Sequence, residues 1–501
     1  MFETLSAGLT LQPPFAVFIL GTVAFLLWWK HGATKLPLPP GPPGHWLWGN
    51  IIPETKDYLK YHEWAQEYGP IYSLRSGRRT VIVIANNEAA AEILEKEGIH
   101  SADRPRTVAA GEMMSGNMRI LLIGVGDRFR KLRKALHSHL QPKLVPIYEP
   151  LQLFNAKVLI RDILKNPEGH RKHARRYAAS VILSLTYGKP SPSHPEDPDI
   201  PLISRCLVRI GRAVRPGAHV VDDLPWLKSV PFYGKQLRGY HREELALFRR
   251  QMQTTRDDIA SKKAPPSFGK YLVERQDELE LEDNEAAYLA GSMFGAGSET
   301  TGSAISVVIM AAACFPDAQT VVQNELDDVV GPNRLPSFSD VDLLPQVEAF
   351  VLESFRWRPG SFSGFQHRST EEIIYKGYRI PAGATLLPNN WSLARDPELF
   401  ADAEKFDPQR WLNKQGQVRK DLKFPNFGFG RRICPGQYFA MNSLFINTAL
   451  LLWSFRILQD PTRPIDTLAF TGGVLHSPDP FTAIFERRLA GLHELINEDD
   501  S

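Results

Sequence analysis

The sequence predicts a mainly α-helical protein with a minor β component, built as a single large domain behind one N-terminal transmembrane helix. Three observations predict this architecture. A run of 26 residues between Glu3 and Lys30 carries no charge and is long enough to cross a bilayer once. From residue 86 onward, apolar residues recur with the 3.6-residue period of a helix. Strand-like patterning is clearest at 69–86, where β-branched and aromatic residues flank a Gly-Arg-Arg turn.

The N-terminal run, residues 1–30, is interpreted as a membrane anchor. A cleaved signal peptide is the competing interpretation. However, no lysine or arginine precedes the apolar run, and no A-x-A cleavage site follows Trp29. Lys30 and Lys35 lie just beyond the run, and the positive-inside tendency then places the rest of the chain in the cytosol.

The remaining elements follow in chain order. Prolines in "KLPLPPGPPG" make residues 31–50 a stiff hinge, so the large domain is expected to span 51–501. After the strand pair, amphipathic periodicity predicts helices over 86–98, 127–140, 177–188 and 286–315. An apolar helix is predicted at 437–453.

Composition excludes several classes of function. The 59 basic and 56 acidic residues give a net charge of +3, which is too small to indicate a nucleic-acid partner. Cys206, Cys314 and Cys434 are far apart and form no C-x-x-C pair, so neither a disulfide framework nor a structural zinc site is expected. This cysteine usage agrees with a reducing compartment.

Cys434 lies in the tight cationic turn "FGFGRRICPG", at 427–436. Because a helix follows, its sulfur is expected near a helix N-terminus, where backbone N–H groups and the helix dipole favour the thiolate that binds metal. Phe427 would form part of an apolar wall, and the guanidinium of Arg432 could hold a carboxylate. A buried and inert cysteine is the alternative interpretation.

The spacing of this turn resembles the haem-binding loop of the cytochromes P-450. Its residues fit F-x-x-G-x-R-x-C-x-G from Phe427 to Gly436, and Ala440 completes the pattern. The resemblance implies haem b as cofactor, with Cys434 as the axial thiolate ligand of the iron. It also implies that Arg432 pairs with a haem propionate and that Phe427 and Gly436 line the cofactor.

Two further motifs extend the resemblance. Glu353 and Arg356 are similar to the family's E-x-x-R pair, and Arg410 to its third partner, which implies a structural ion-pair network. "AGSETT", at 296–301, resembles the motif that relays protons to dioxygen, with Glu299 and Thr300 as the catalytic residues. The alternative for Thr300 is a hydrogen bond to a carbonyl one turn earlier.

One motif departs from the family pattern. Where members usually carry W-x-x-x-R, this chain has "FRKLR", so Phe129 lacks an indole N–H while Arg133 can still bind a propionate. One propionate hydrogen bond is therefore expected to be missing. His367 matches a position that supports a propionate in some members; Arg368 is its rival, and an ordinary surface histidine is a further alternative.

The resemblance implies a single-pass haem-thiolate monooxygenase of the endoplasmic reticulum membrane, with 51–501 as a cytosolic catalytic domain. Electrons would come from NADPH through a separate NADPH–cytochrome P-450 reductase, with cytochrome b5 as a further partner, because no G-x-G-x-x-G fingerprint is present. The basic "RFRKLRK" stretch, at 128–134, is a docking face for an acidic partner or simply a solvated helix face.

The substrate is expected to be small and apolar. The "DLPWLKSVPFYG" stretch, at 223–234, resembles fungal members, so a terpenoid, polyketide or aromatic compound of secondary metabolism is expected, with xenobiotic oxidation equally allowed. Two alternative functions are an isomerase or dehydratase that keeps the haem but needs no reductase, and a non-enzymatic haem sensor. Glu299 and Thr300 argue against the isomerase, which has no need of a proton relay.

Overall fold

The structure is a computed structural model that describes residues 21–22, 36–194 and 197–497. The predicted anchor, residues 1–30, lies outside the described residues apart from 21–22. The first residues of the predicted hinge lie outside them as well.

Helices make up most of the described chain, as predicted. The α-helices are α1 (Asp57–Tyr68), α2 (Asn87–Ala90), α3 (Gly98–Ser101), α4 (Asp127–Leu140), α5 (Glu149–Lys165), α6 (His170–Tyr187), α7 (Asp199–Ala213), α8 (Lys235–Ala260), α9 (Phe268–Glu274), α10 (Asp283–Cys314), α11 (Pro316–Val329), α12 (Pro345–Trp357), α13 (Asn390–Leu393), α14 (Gln437–Ser454) and α15 (Leu492–Asn497).

The helices predicted from apolar periodicity are confirmed. The predicted helix at 127–140 has the bounds of α4, and that at 437–453 corresponds to α14. The stretch at 86–98 differs in detail, because after α2 the chain continues as a π-helix, Ala91–Lys96. Over so few residues, the period of the apolar residues does not distinguish an α-helix, with hydrogen bonds between residues four apart, from a π-helix, where they are five apart.

The strands form one four-stranded and two two-stranded sheets within the described residues. They are β1 (Ile71–Ser76), β2 (Arg79–Ile84), β3 (His367–Arg368), β4 (Ile373–Tyr375), β5 (Tyr378–Ile380), β6 (Thr385–Pro388), β7 (Phe455–Gln459) and β8 (Ala483–Arg487). The larger sheet has the order β1-β2-β6-β3, with β2 and β6 parallel. The predicted hairpin is β1 and β2, paired antiparallel with Tyr72 opposite Val83.

The main apolar core surrounds α10, which is buried along most of its length. Small residues let α6 approach it closely: a Cβ at Gly297 would lie 2.6 Å from Ile182 Cγ1, and one at Gly302 would lie 3.0 Å from the Arg175 Cα. This close approach brings α6 side chains to the polar part of α10. Within the described ranges, no single helix has the length and composition to span a membrane; α10 and α11 pass that test only as a pair bent by 105°.

The predicted ion-pair network is fully assembled in the core. Glu353 and Arg356 on α12 are both 0% exposed and form two hydrogen bonds, Nη2 to Oε1 at 2.7 Å and Nε to Oε2 at 2.9 Å. Arg410 Nε also donates to Glu353 Oε1, at 3.2 Å. Further donors to Glu353 are the Asp407 backbone N–H at 2.8 Å and the Trp411 indole N–H at 2.9 Å. The network therefore binds the segment at 407–411, which precedes the cysteine turn, to α12.

Candidate functional site

The cysteine turn is held by its own backbone. A short 3-10 turn, Gly430–Arg432, leads into it, and the Cys434 N–H donates to the Phe427 carbonyl at 2.8 Å. Gly430 has φ of +47°, and a Cβ there would lie 2.8 Å from the Leu94 carbonyl oxygen, so only glycine fits. The backbone geometry thus fixes where the sulfur lies.

Cys434 lies close to the start of α14, as predicted, with Gly436 as the residue that precedes the helix. The Gly436 N–H and the nearby Arg133 charge lower the pKa of the thiol, but burial outweighs them and raises it. In the free side chain, desolvation therefore disfavours the thiolate. A bound metal ion reverses this balance, since a coordinating thiol is deprotonated outright.

The residues predicted to flank the sulfur are in place. The Phe427 ring packs edge-on against Phe355, with centroids 5.5 Å apart, so it presents a fixed apolar surface. A Cβ at Gly436 would lie 4.0 Å from Cys434 Sγ. Any larger side chain at 436 would thus approach the sulfur. Their role in lining a cofactor remains a prediction.

Arginines gather beside the turn, of which Arg432 is buried and Arg133 is half-buried. Arg432 donates from Nε to the Ala102 carbonyl at 2.6 Å and from Nη2 to the Ile123 carbonyl at 2.8 Å. Arg133 donates to the Ile433 carbonyl inside the turn. These contacts join the cysteine turn to α4 and to the segment before it. Arg133 therefore lies close to the cysteine turn in space, whereas Arg432 is part of the turn itself.

Arg104 belongs to the same group and was missed by the sequence interpretation. It is buried, donates from Nε to the Leu121 carbonyl at 3.1 Å, and also donates to the Gln366 carbonyl. Nothing in "DRPR", at 103–106, separates it from Arg106, which is largely exposed and pairs with Glu112. Only long-range packing distinguishes the two arginines.

His367 is buried, so the surface-histidine alternative is wrong. Its Nδ1 lies 3.0 Å from the Ser101 carbonyl oxygen, which can only accept, so Nδ1 carries the proton of the neutral ring. Burial and the charges of Arg104 and Arg432 hold its pKa well below the usual value. The neutral ring thus offers Nε2 as an acceptor. A carboxylate bound there would require the protonated form.

Arg368 is already paired within the chain. Its Nε donates to Asp103 Oδ2 at 2.8 Å, and its Nη2 lies 2.7 Å from the same oxygen. The other oxygen of Asp103 accepts from the Val125 N–H at 2.8 Å. Since Asp103 neutralises Arg368, this arginine is a weaker candidate for a propionate than Arg104.

The charge balance of this group fits the cofactor that the resemblance implies. Among the described residues, Arg104 and Arg432 form no ion pair, and burial lowers the pKa of Arg104 to about 9 and that of Arg432 to about 10. Buried cations are costly unless a counter-charge is present. A cavity of about 470 Å³ is lined in part by Arg104 and Ile123, but neither Arg432 nor Cys434 is among its lining residues. A ligand with two carboxylates, as haem has, would supply the missing negative charge.

Glu299 and Thr300, the predicted catalytic residues of "AGSETT", lie in different surroundings. Glu299 accepts from Arg175 Nη2 at 3.0 Å and from Ser204 Oγ at 2.7 Å, and Ser477 Oγ lies 3.4 Å away. Thr300 Oγ1 donates to the Ala296 carbonyl at 2.7 Å, which is the alternative contact predicted for it. Ala296 and Thr300 are nevertheless exposed in the middle of a buried helix, so the core is open along this face.

Hydrogen bonds join two further pairs of chain segments. Asp222 Oδ1 accepts from the Val108 and Ala109 N–H groups, at 2.5 and 3.0 Å, so 107–122 meets 220–234. The His476 N–H donates to the Gly360 carbonyl at 2.9 Å, which joins the loop after α12 to the C-terminal region. Each of these contacts brings together stretches that are far apart in the sequence.

Comparison with known proteins agrees with this geometry. A family model described as cytochrome P-450 matches residues 39–485. Cytochrome P-450 monooxygenase 113 of Postia placenta is 50% identical over 459 residues, which cover 92% of this chain and 93% of that protein. A cytochrome P-450 monooxygenase of Armillaria gallica is 37% identical over 481 residues, with 92% and 93% covered. One from Aspergillus ruber is 33% identical over 494 residues, with 93% and 90% covered.

Proposed function

The chain belongs to the cytochrome P-450 family and is a haem-binding monooxygenase with fungal relatives, and from this premise we propose that it is a membrane-anchored enzyme of fungal secondary metabolism or xenobiotic oxidation. The observation that carries the site assignment is the placement of Cys434 beside buried arginines that have no carboxylate partner among the described residues. Cys434 holds the haem iron in this proposal. Arg432, Arg104 and Arg133 hold the propionates.

When bound, haem supplies the activation of dioxygen: one oxygen atom enters a C–H bond of the substrate, and the other leaves as water with two electrons and two protons. The chain's own residues orient the substrate, exclude water and move protons. In the proposed relay the Glu299 carboxylate, which accepts from the half-exposed Arg175 at one oxygen and from the Ser204 hydroxyl at the other, passes a proton towards Thr300. Thr300 would transfer it by exchanging its bond to Ala296 for a bond to water.

The proposed electron donor is a separate NADPH–cytochrome P-450 reductase, with cytochrome b5 as a further partner. The proposed docking face is the exposed side of α4. Its charge is smaller than the sequence suggests, because Arg130 pairs with Asp127, Arg128 with Glu285 and Lys131 with Glu280. Exposed ion pairs of this kind contribute at most about 1 kcal/mol, so an acidic partner can exchange them.

The reaction class is tested by product formation. The full-length protein is expressed with a reductase in membranes, supplied with NADPH, and screened against terpenoids, polyketide aromatics and xenobiotics by mass spectrometry. A gain of one oxygen atom that requires NADPH supports the proposal. Turnover without NADPH would favour the isomerase or dehydratase, and binding without turnover would favour the haem sensor.

The proton relay predicts loss of coupling in Thr300→Ala and Glu299→Gln. Haem content and substrate binding should survive, because in the described part of the chain neither residue forms a hydrogen bond or an ion pair with Cys434, Arg104, Arg133 or Arg432. Product per NADPH should fall about tenfold or more, since a positioned proton donor contributes on the order of 10² or more to a rate. Hydrogen peroxide release should rise in parallel. Both quantities are measured in the same reaction.

Thr301→Ala is the matched control for the relay, because Thr301 is the next residue on α10 and is buried. It should keep the wild-type ratio of product to NADPH. If Thr300→Ala and Glu299→Gln keep that ratio as well, the relay is wrong and Thr300 serves only the helix backbone.

Attachment to the bilayer is proposed to combine the N-terminal anchor with an exposed apolar surface. Trp226 is 63% and Phe232 89% exposed, whereas Tyr233 packs against an interior cluster, so of these three aromatic residues only Trp226 and Phe232 are free to insert. Trp46 and Trp48 are also largely exposed. The β1–β2 turn links the two stretches, because the Gly77 N–H donates to the Trp48 carbonyl and Arg79 lies 3.9 Å from Asp223.

Deletion of residues 1–29 should release the protein from tight insertion but leave peripheral binding to lipid vesicles. In that background, Trp226→Asp and Phe232→Asp should each weaken vesicle binding about tenfold or more, because each removes a large apolar group from the interface. Leu343→Asp is the control, since Leu343 is 59% exposed and lies outside both stretches. Vesicle co-sedimentation measures all three. Cleavage and secretion of the full-length protein would instead support the signal-peptide alternative.

A further inference from the structure

Phe129, the residue that departs from the family's tryptophan, makes a specific contact. The guanidinium carbon of Arg432 lies 3.7 Å from the centre of the Phe129 ring. Both side chains are buried, at 8% and 9% exposure. An arginine this close to an aromatic ring is attracted to the negative π face, and the attraction is stronger where water is excluded. The ring therefore does more than fill space on α4.

The other contacts of Arg432 fix its plane. Nε donates to the Ala102 carbonyl and Nη2 to the Ile123 carbonyl, so two chain segments hold one edge of the guanidinium while the ring covers a face. Within the described part of the chain, no carboxylate forms an ion pair with it. The nearby Asp103 is already shared by Arg368 and the Val125 N–H. The charge of Arg432 is thus oriented but not neutralised.

We propose that Phe129 is a positioning residue that holds the Arg432 guanidinium in the orientation needed to bind a haem propionate. The aromatic ring compensates for the absent indole N–H by acting through the arginine rather than on the propionate directly. This inference rests on the proposed role of Arg432. It differs from a simple core role, because an aliphatic side chain could replace the packing of Phe129 but could not provide a π face.

The test is the rate of haem transfer from the full-length holoprotein to excess apomyoglobin, followed by absorbance. Phe129→Leu should release haem about tenfold faster, which corresponds to loss of one desolvated cation–π contact. Phe129→Tyr and Phe129→Trp keep a ring and should retain near wild-type rates. The haem reduction potential should fall in Phe129→Leu, because a loosened guanidinium neutralises the propionate less effectively.

Phe439→Leu is the matched control. Phe439 is also 8% exposed and lies on α14 close to Cys434, but its ring packs against Tyr148 rather than against a cation. The same truncation should lower thermal stability to a similar extent and leave haem transfer and potential unchanged. If Phe129→Leu does not accumulate, Phe129→Met replaces it, since methionine keeps most of the volume without a ring.

Arg432→Gln distinguishes the proposed role of Arg432 at the propionate from the proposed positioning role of Phe129. If Arg432→Gln leaves haem transfer unchanged, the role of Arg432 at the propionate is wrong. If Arg432→Gln accelerates transfer but Phe129→Leu behaves like Phe439→Leu, the positioning role of Phe129 alone is overturned. If both proposed roles are correct, adding Phe129→Leu to Arg432→Gln should accelerate haem transfer little further, because the ring acts through the guanidinium.

Discussion

Cys434→Ser is expected to abolish the thiolate-type absorption band of the reduced carbon monoxide complex. A serine hydroxyl is a poor metal ligand that stays protonated near neutral pH, whereas a metal ion deprotonates a coordinating thiol. The backbone hydrogen bond from the Cys434 N–H to the Phe427 carbonyl does not depend on the side chain, so the turn itself should persist. The measurement is a reduced carbon monoxide difference spectrum of membranes with equal amounts of each protein.

Cys206→Ser and Cys314→Ser are the controls for this experiment. Burial raises the pKa of Cys206 to about 12 and that of Cys314 to about 11, so both are expected to be ordinary buried thiols. These variants should keep the wild-type band. A normal band in Cys434→Ser would show that Cys434 is not the iron ligand. Loss of the band in either control would indicate a general effect of removing a thiol.

Glu353→Ala is expected to cost about 3–5 kcal/mol of unfolding free energy, because it leaves the guanidinium of Arg356 buried without its counter-charge. The indole N–H of Trp411 and the backbone N–H of Asp407 lose their acceptor at the same time. A loss of this size exhausts much of the stability of a typical domain, so little haem-loaded protein should accumulate. Denaturant unfolding of the detergent-solubilised protein measures the change.

Glu63→Ala is the matched control, since Lys60 and Glu63 have the same three-residue spacing and a similar separation of 2.6 Å. That pair is exposed, so its loss should cost less than about 1 kcal/mol. Comparable costs for Glu63→Ala and Glu353→Ala would show that burial is not what makes the α12 network important.

Sequence reasoning was most successful where one element contains the whole signal. The bounds of α4 follow from apolar residues at helical spacing between Gly126 and Gln141. Glu353 and Arg356 are three residues apart on one helix, so their contact was predictable before any tertiary structure was considered. The turn at Cys434 is similarly local, since its glycines and its helix are adjacent in the chain.

Sequence reasoning was least successful where segments that are distant along the chain meet. Arg104 lies near Arg432 only because the fold brings its segment against residues 121 and 366, and Asp103 neutralises Arg368 from 265 residues away. Glu299 finds Arg175 on α6 and Ser204 on α7, which no spacing within "AGSETT" indicates.

The sequence by itself therefore determined the class of this protein through motifs that resemble those of the cytochromes P-450. It also determined the helical elements, the tight turn that holds Cys434 and the ion pair on α12, because these depend on local periodicity and on backbone conformation. Only the tertiary structure decided which arginines carry unneutralised charge, which nitrogen of His367 holds a proton and what lies against Phe129. The physical reason is that burial and long-range partners set these properties. Both depend on how close residues lie in space rather than along the chain.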